Sequence, residues 1–326
     1  MISTYRKILT MLAVLCLAVG VGACGDDDDA DKSSTGSAPA ADSKVIERDS
    51  ANASKGTITV ASKNFTEQFV LGEVYSQALE AQGFKVKRRL NLGSEQVAYK
   101  ALTGGDIDMY PEYTGTSLIN FFDVKPADVP KDPDAAYTQT KADYAKQDIA
   151  ALARTPFSNT YVVTSTKKTA DKIGNPKTMT ELFQKAPNLS ISGFPECRQR
   201  QDCLLGLRSQ FGYKGKFISS DGKFNDLKGG NSELTLAFGT DPQLALTDQY
   251  VAYEDDKQFF PPYNIALGVR NDAIEKIGPE AVEVLEAVQE PMTETVMREL
   301  NRRVELEKQA PKVVAAAYLK EEGFLE

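Results

Sequence analysis

Asp106-Ile107-Asp108-Met109-Tyr110-Pro111-Glu112-Tyr113-Thr114-Gly115-Thr116, followed by the apolar run Ser117-Leu118-Ile119-Asn120-Phe121-Phe122, is the stretch on which the fold turns. Its first half is short, half-apolar and β-like. Pro111 has no backbone donor and biases the residue before it towards extended backbone, so the strand is expected to end there. A tight Thr114-Gly115-Thr116 turn then opens a helix. A strand that stops in such a turn puts side chains and backbone N–H groups at the carboxyl edge of a sheet, where open α/β proteins bind ligands. The plainer alternative is an ordinary strand–turn–helix with a packing tyrosine, and the motif needs its context.

Upstream, Thr57-Ile58-Thr59-Val60-Ala61 alternates as a strand does. The polar turn Ser62 to Gln68 follows, with Asn64 or Thr66 as the expected helix cap. A helix to about Gln82 buries Val70, Leu71, Val74, Ala78 and Leu79 and stops at Gly83. Phe84, Val86 and Leu90 make the next strand, with Lys85, Lys87 and Arg89 on its other face. This is a βαβ unit. Leu92-Gly93-Ser94 opens a short helix, Glu95 to Thr103. Three loops then converge on one sheet edge: Lys63 to Thr66, Gly93 to Gln96 and Tyr110 to Thr116.

Downstream, Asp132 to Arg154 reads as an exposed helix and Asn159 to Ser165 as a strand leading into a second lobe. Leu189 to Ser192, Lys216 to Ser219 and Gln243 to Thr247 read as strands, and Leu182 to Ala186 and Leu204 to Phe211 as helices. The prolines of Tyr253 to Arg270 exclude a helix and suit an extended return segment. Glu280 to Glu290, Thr293 to Gln309 and Lys312 to Leu319 are helical. Alternation of strands and helices gives an α/β class with two sheets.

The first residues do not belong to this fold. Met1 to Cys24 reads as an export signal: Arg6 and Lys7, an apolar run from Ile8 to Val19, then small residues before Cys24. That run is shorter than the ~20 residues needed to span a bilayer. Small residues directly before a Cys are the lipoprotein form of the signal, which implies cleavage after residue 23 and acylation of Cys24. Residues 24–55 are poor in large apolar side chains and include the acid run Asp26 to Asp29; they are expected to form a disordered tether. The folded part then holds about 270 residues, which suggests two lobes. The expected division is 56–160 and 263–326 for the first lobe and 161–262 for the second.

Net charge is −8, and removal of Arg6 and Lys7 with the signal leaves 36 − 46 = −10. An acidic body argues against nucleic acid and for an extracytoplasmic protein. The sequence has no His, so it lacks the commonest general base and transition-metal ligand. Cys197 and Cys203 are expected to form a disulfide around a loop; a zinc site would need two more soft ligands nearby. No metal or cofactor is expected.

Three motifs together carry a resemblance: Ser62 to Gln68, Tyr110 to Thr116, and Asp255-Asp256-Lys257-Gln258-Phe259-Phe260-Pro261-Pro262-Tyr263. They resemble the substrate-binding lipoproteins of ABC importers for quaternary amines such as glycine betaine, choline and carnitine, over nearly all of the folded part. The resemblance implies a two-lobed fold of the type II periplasmic-binding-protein kind, with a two-strand hinge, closing over a ligand. It implies a cage of aromatic faces around a trimethylammonium group. A quaternary ammonium has no N–H to donate, so charge and dispersion must hold it. By position, Tyr113, Tyr161 and Tyr263 match aromatics of the cage. Lys63 and Thr116 match contacts to the ligand's carboxylate in the first lobe, and Arg200 matches the basic contact of the second. Phe238 stands where the family usually has a tyrosine; it loses a hydroxyl and retains a face. Asp241-Pro242 replaces the usual Asp-Gly. Phe65 and Tyr110 are expected to pack or form a rim, and Glu112 to cap or pair. For Lys63 a solvated loop charge, and for Arg200 a pairing with Glu196 or Asp202, remain the structural alternatives.

The expected function is therefore a lipid-anchored, monomeric receptor on the outer face of the cell membrane that delivers a quaternary amine to an ABC permease. One alternative is the same fold holding another small amine, such as an amino acid or a betaine-like thione. An enzyme using Asp106, Asp108 and Glu112 as paired carboxylates is a weaker reading, because no His, nucleophile elbow or phosphate loop accompanies them.

Overall fold

The chain changes sheet twice, and the cleft lies where it does so. The computed structural model describes residues 44–326; the expected leader, Cys24 and the tether as far as residue 43 lie outside the described residues. The strands are β1 (Thr57–Ala61), β2 (Lys85–Arg89), β3 (Met109–Tyr113), β4 (Ile149–Ser158), β5 (Tyr161–Thr166), β6 (Ile191–Gly193), β7 (Phe217–Ser219), β8 (Leu234–Phe238), β9 (Tyr250–Ala252) and β10 (Asn264–Arg270). One sheet has the order β2-β1-β3-β10-β4 and the other β7-β6-β8-β5-β9. In each, four strands run in one direction and one runs against them, β10 in the first sheet and β5 in the second.

Twelve α-helices flank them among the described residues. In the first lobe these are α1 (Thr66–Ala81), α2 (Glu95–Thr103), α3 (Thr114–Asn120) and α4 (Pro133–Ala145). The second lobe adds α5 (Lys167–Lys172), α6 (Met179–Lys185), α7 (Leu204–Phe211) and α8 (Phe224–Gly229). The return segment ends in α9 (Asn271–Ile277), α10 (Pro279–Ala287), α11 (Glu294–Glu305) and α12 (Pro311–Glu321). Helix α1 buries Val70, Leu71, Val74, Ala78 and Leu79 and packs against α10, α11 and α12. Tyr75 donates to Gln289 Oε1 at 2.8 Å, satisfying its hydroxyl inside that packing.

Several expectations are corrected. The deciding strand does not stop at Pro111, which lies opposite Leu267 of β10; β3 runs on to Tyr113, opposite Ile265. β1 pairs with β3 only at Val60↔Met109. Alternate residues face alternate edges, and the N–H of Tyr113, two residues beyond Pro111, turns to Glu112 Oε1 at 2.8 Å rather than to a strand. The donor that Pro111 lacks therefore falls on an edge that β1 has already left. No turn follows, since α3 begins at Thr114 itself.

The cap of α1 is Phe65, without a side-chain hydrogen bond, rather than Asn64 or Thr66. Ile149 to Arg154 is strand, not helix, because it is captured at the edge of β10. Gln243 to Thr247 is no strand; Pro242–Ala245 is a 3-10 turn, and the strand is the preceding β8. The tether expected through residue 55 is packed from Lys44 onwards. Ile46 is buried and its N–H donates to Phe324 O, Asn52 Nδ2 donates to Gln82 O, and Asp49 caps the 3-10 turn Ser50–Ser54. One isoleucine and a few hydrogen bonds of backbone and side chain hold this segment where its polar composition gave no sign of order.

The chain leaves the first sheet after Ser158 and returns at Asn264. The two crossings are tied together: Asn159 N donates to Tyr263 O at 3.0 Å, and Tyr263 N to Ser158 Oγ at 2.9 Å. Gly115 lets α3 lie against the returning strand. A Cβ there would stand 2.7 Å from Pro262 O and 2.9 Å from Tyr263 Cε1, closer than any side chain tolerates.

Candidate functional site

The loops after β1 and β3 meet because parallel neighbours share a carboxyl edge. Lys63, just past β1, reaches Glu112 of β3, and both are buried. Glu112 also accepts from Tyr110 Oη at 3.0 Å and from Tyr113 N. Burial pushes the Glu112 carboxyl upwards, against the pull of the Lys63 ammonium. Lys63 Nζ stands 4.4 Å from the centroid of the Tyr113 ring.

Across the cleft, Cys197 and Cys203 form the expected disulfide, and Arg200 and Asp202 lie within the loop it closes. Arg200, only 5 % exposed, binds Asp202 with two N–H groups, Nε to Oδ1 at 2.9 Å and Nη2 to Oδ2 at 2.6 Å. It then reaches the first lobe: Nη1 donates to Glu95 Oε1 at 3.1 Å and Nη2 to Thr116 Oγ1 at 3.4 Å. Tyr263 Oη donates to Asp202 Oδ2 at 2.6 Å. The guanidinium also stands 5.7 Å from the Tyr161 ring centroid.

Between these groups lies a cavity of about 590 Å3. Its walls include Lys63, Tyr113, Thr116, Tyr161, Arg200, Phe238 and Tyr263, so all seven residues singled out from the sequence converge on one space. The rings form a connected wall from both lobes. Phe65 lies 6.1 Å from Tyr113 and 5.5 Å from Phe238; Tyr161 lies 5.7 Å from Phe238, 5.6 Å from Phe194 and 5.1 Å from Tyr263. Tyr161 and Tyr263 meet edge to face, with 63° between the planes.

Three of the lining residues not expected there matter most. Phe65 lines the cavity rather than packing at its rim, and Phe194 joins from the end of β6. The available sign was position: each follows a strand at the ligand-binding edge of its sheet. Glu67 is the third. Tyr110, by contrast, packs behind the wall as expected, fully buried.

Two lobes, two crossings and a ring-lined cavity between them define a cleft-binding protein of the type II periplasmic class. Residues 56–321 match the family described as the substrate-binding domain of ABC-type glycine betaine transport systems, and the chain belongs to that family. A glycine-betaine-binding protein of Pseudomonas aeruginosa is 30 % identical over 285 residues, covering 83 % of this chain and 89 % of its own. An ergothioneine transport permease/ergothioneine binding protein of Helicobacter pylori is 28 % identical over 272 residues, 82 % of this chain; the match spans 48 % of that longer protein. Among solved structures, a glycine betaine/carnitine/choline ABC transporter protein superposes with a TM-score of 0.66 at 24 % identity, covering 81 % of this chain and 98 % of the other. The family is one of transport receptors, not of enzymes.

Proposed function

We propose that the protein is an extracytoplasmic receptor that captures a quaternary-amine osmoprotectant, such as glycine betaine or choline, and hands it to an ABC permease. The observation that carries this reading is the set of aromatic faces contributed by both lobes to one cavity. Each desolvated face is worth roughly 0.5–2 kcal/mol to a cation, and several together reach the ~8 kcal/mol of a micromolar site. Tyr113, Tyr161, Phe238 and Tyr263 are the ligand's aromatic contacts, with Lys63, Thr116 and Arg200 on its polar side. Lys63 and Arg200 are already ion-paired, with Glu112 and with Asp202 and Glu95, so a ligand carboxylate shares Arg200 with Glu95 rather than meeting a free cation. The chain works as a monomer, without catalysis, and is anchored through an acylated Cys24 on the outer face of the membrane.

Calorimetric titration of the protein with choline, glycine betaine, carnitine, a trimethylated thione amino acid and simple amino acids tests this. Methylated amines are expected to bind at about micromolar concentration, and primary amines far more weakly. The reading fails if no methylated amine raises the melting temperature at millimolar concentration.

A further inference from the structure

Among the buried acids in the cavity wall, Glu67 stands apart. Glu95 faces Arg200 and Asp241 faces Lys223. Glu67 is 2 % exposed and has no basic partner among the described residues. Neutral donors surround it instead, and they come from every part of the cleft. Tyr113 Oη donates to its Oε1 at 2.7 Å from the first lobe, and Asn159 Nδ2 donates at 2.9 Å from the crossing. Thr240 Oγ1 donates from the second lobe, and Asn301 Nδ2 at 3.3 Å from α11.

A buried carboxylate without a counter-charge is costly, and proteins keep one chiefly where a charge arrives later. None of the four cations of the wall bonds to it: Lys63, Arg200 and Lys223 are each paired with another acid, Lys308 donates to Glu305 O, and Lys223 acts on Glu67 only through space. Its hydrogen bond to Tyr113 also pulls electron density towards the ring that faces the cavity, which strengthens that ring as a cation acceptor.

We propose that Glu67 sets the charge selectivity of the cavity: its carboxylate is the counter-charge for a permanently cationic headgroup, felt across the wall and through the Tyr113 ring. This rests on the quaternary-amine reading and adds to it the residue that tells a cation from an uncharged molecule of the same shape. Rings alone would hold both, by dispersion.

The test compares choline with its uncharged carbon isostere, in which a tert-butyl group replaces trimethylammonium. Affinities are taken from melting-temperature shifts over a concentration series. Glu67→Gln removes the charge and nearly keeps the shape. The new amide N–H can be received by the Thr240 hydroxyl, which accepts as well as donates. This variant is expected to lose about tenfold or more in choline affinity and less than about threefold for the isostere. Equal losses for the two ligands would mean a merely structural role and overturn the inference, as would no loss. Glu67→Asp keeps the charge; the ratio of the two affinities should stay near that of the wild type even if both fall, and its collapse also overturns the inference. A wild-type protein that binds neither choline nor glycine betaine rejects the parent reading, and this one with it.

Discussion

Tyr113 does two jobs with two parts of one side chain. Its ring lines the cavity, and its hydroxyl satisfies Glu67. The two can be separated. Tyr113→Phe keeps the face and leaves a buried carboxylate one donor short, so stability should fall by about 1–2 kcal/mol while ligand affinity changes only mildly. Tyr113→Ala removes the face and should lower affinity at least tenfold; equal affinity losses in the two variants would count against a face-on cation. The Glu67 carboxyl also leaves a mark on pH dependence. Burial raises it above its ordinary value of 4.5, against the pull of its hydrogen bonds. The folded state then holds the proton to higher pH than the unfolded state, so its contribution to stability is greatest below pH 4.5 and is lost as pH rises through the raised value. Melting curves of wild type and Glu67→Gln should diverge in the variant's favour as pH rises above 4.5; a constant difference would show that Glu67 does not titrate differently on folding. That the seven expected residues line one cavity could be read because motifs fix which residues sit near its edge. Both Glu67 and Phe65 lie inside one of those motifs, yet Glu67 was given no role and Phe65 was expected only to pack or form a rim. Which way a side chain turns from a helix's first residues depends on what packs opposite, here Tyr113, Phe238 and Thr240, and those partners are far away in sequence.

Elements with a clear period were legible: β1, α2 and α7 run as their apolar spacing predicts. The misreadings came where a tertiary neighbour outweighed local propensity. β3 accepts a proline because its edge is vacant, and the start of β4 is drawn into strand by β10. The loop from Cys197 to Cys203 was legible as a ring but not as a tool. It has no regular structure beyond a 3-10 turn at Pro195–Gln199, yet it must hold Arg200 and Asp202 in a two-point pair. The disulfide limits the conformations open to that loop. Replacing both cysteines by serine should cost about 2 kcal/mol through chain entropy. Because Arg200 rides on the loop, ligand affinity should fall as well. Thermal melts and titration under oxidising conditions check both; a fall in melting temperature with unchanged affinity would detach the disulfide from the site.

Polar groups tie the lobes across the cleft, beside the ring contacts. Arg200 of the second lobe meets Glu95 and Thr116 of the first, and Thr240 meets Glu67. Contacts that exist only when the lobes meet act on the closed arrangement and not on first encounter. Removing one should therefore speed release more than it slows capture, since mutational effects on binding fall mostly on dissociation. Arg200 keeps its two hydrogen bonds to Asp202 in a Glu95→Ala variant, so the basic group stays in place and only the bridge across the cleft is cut. Stopped-flow measurement of the intrinsic tyrosine signal should give a dissociation rate about five- to tenfold higher for that variant, with the association rate changed by less than about twofold. A slower association with unchanged dissociation would assign Glu95 to steering the cation into an open cleft, and the bridge to Arg200 would then be incidental to closure.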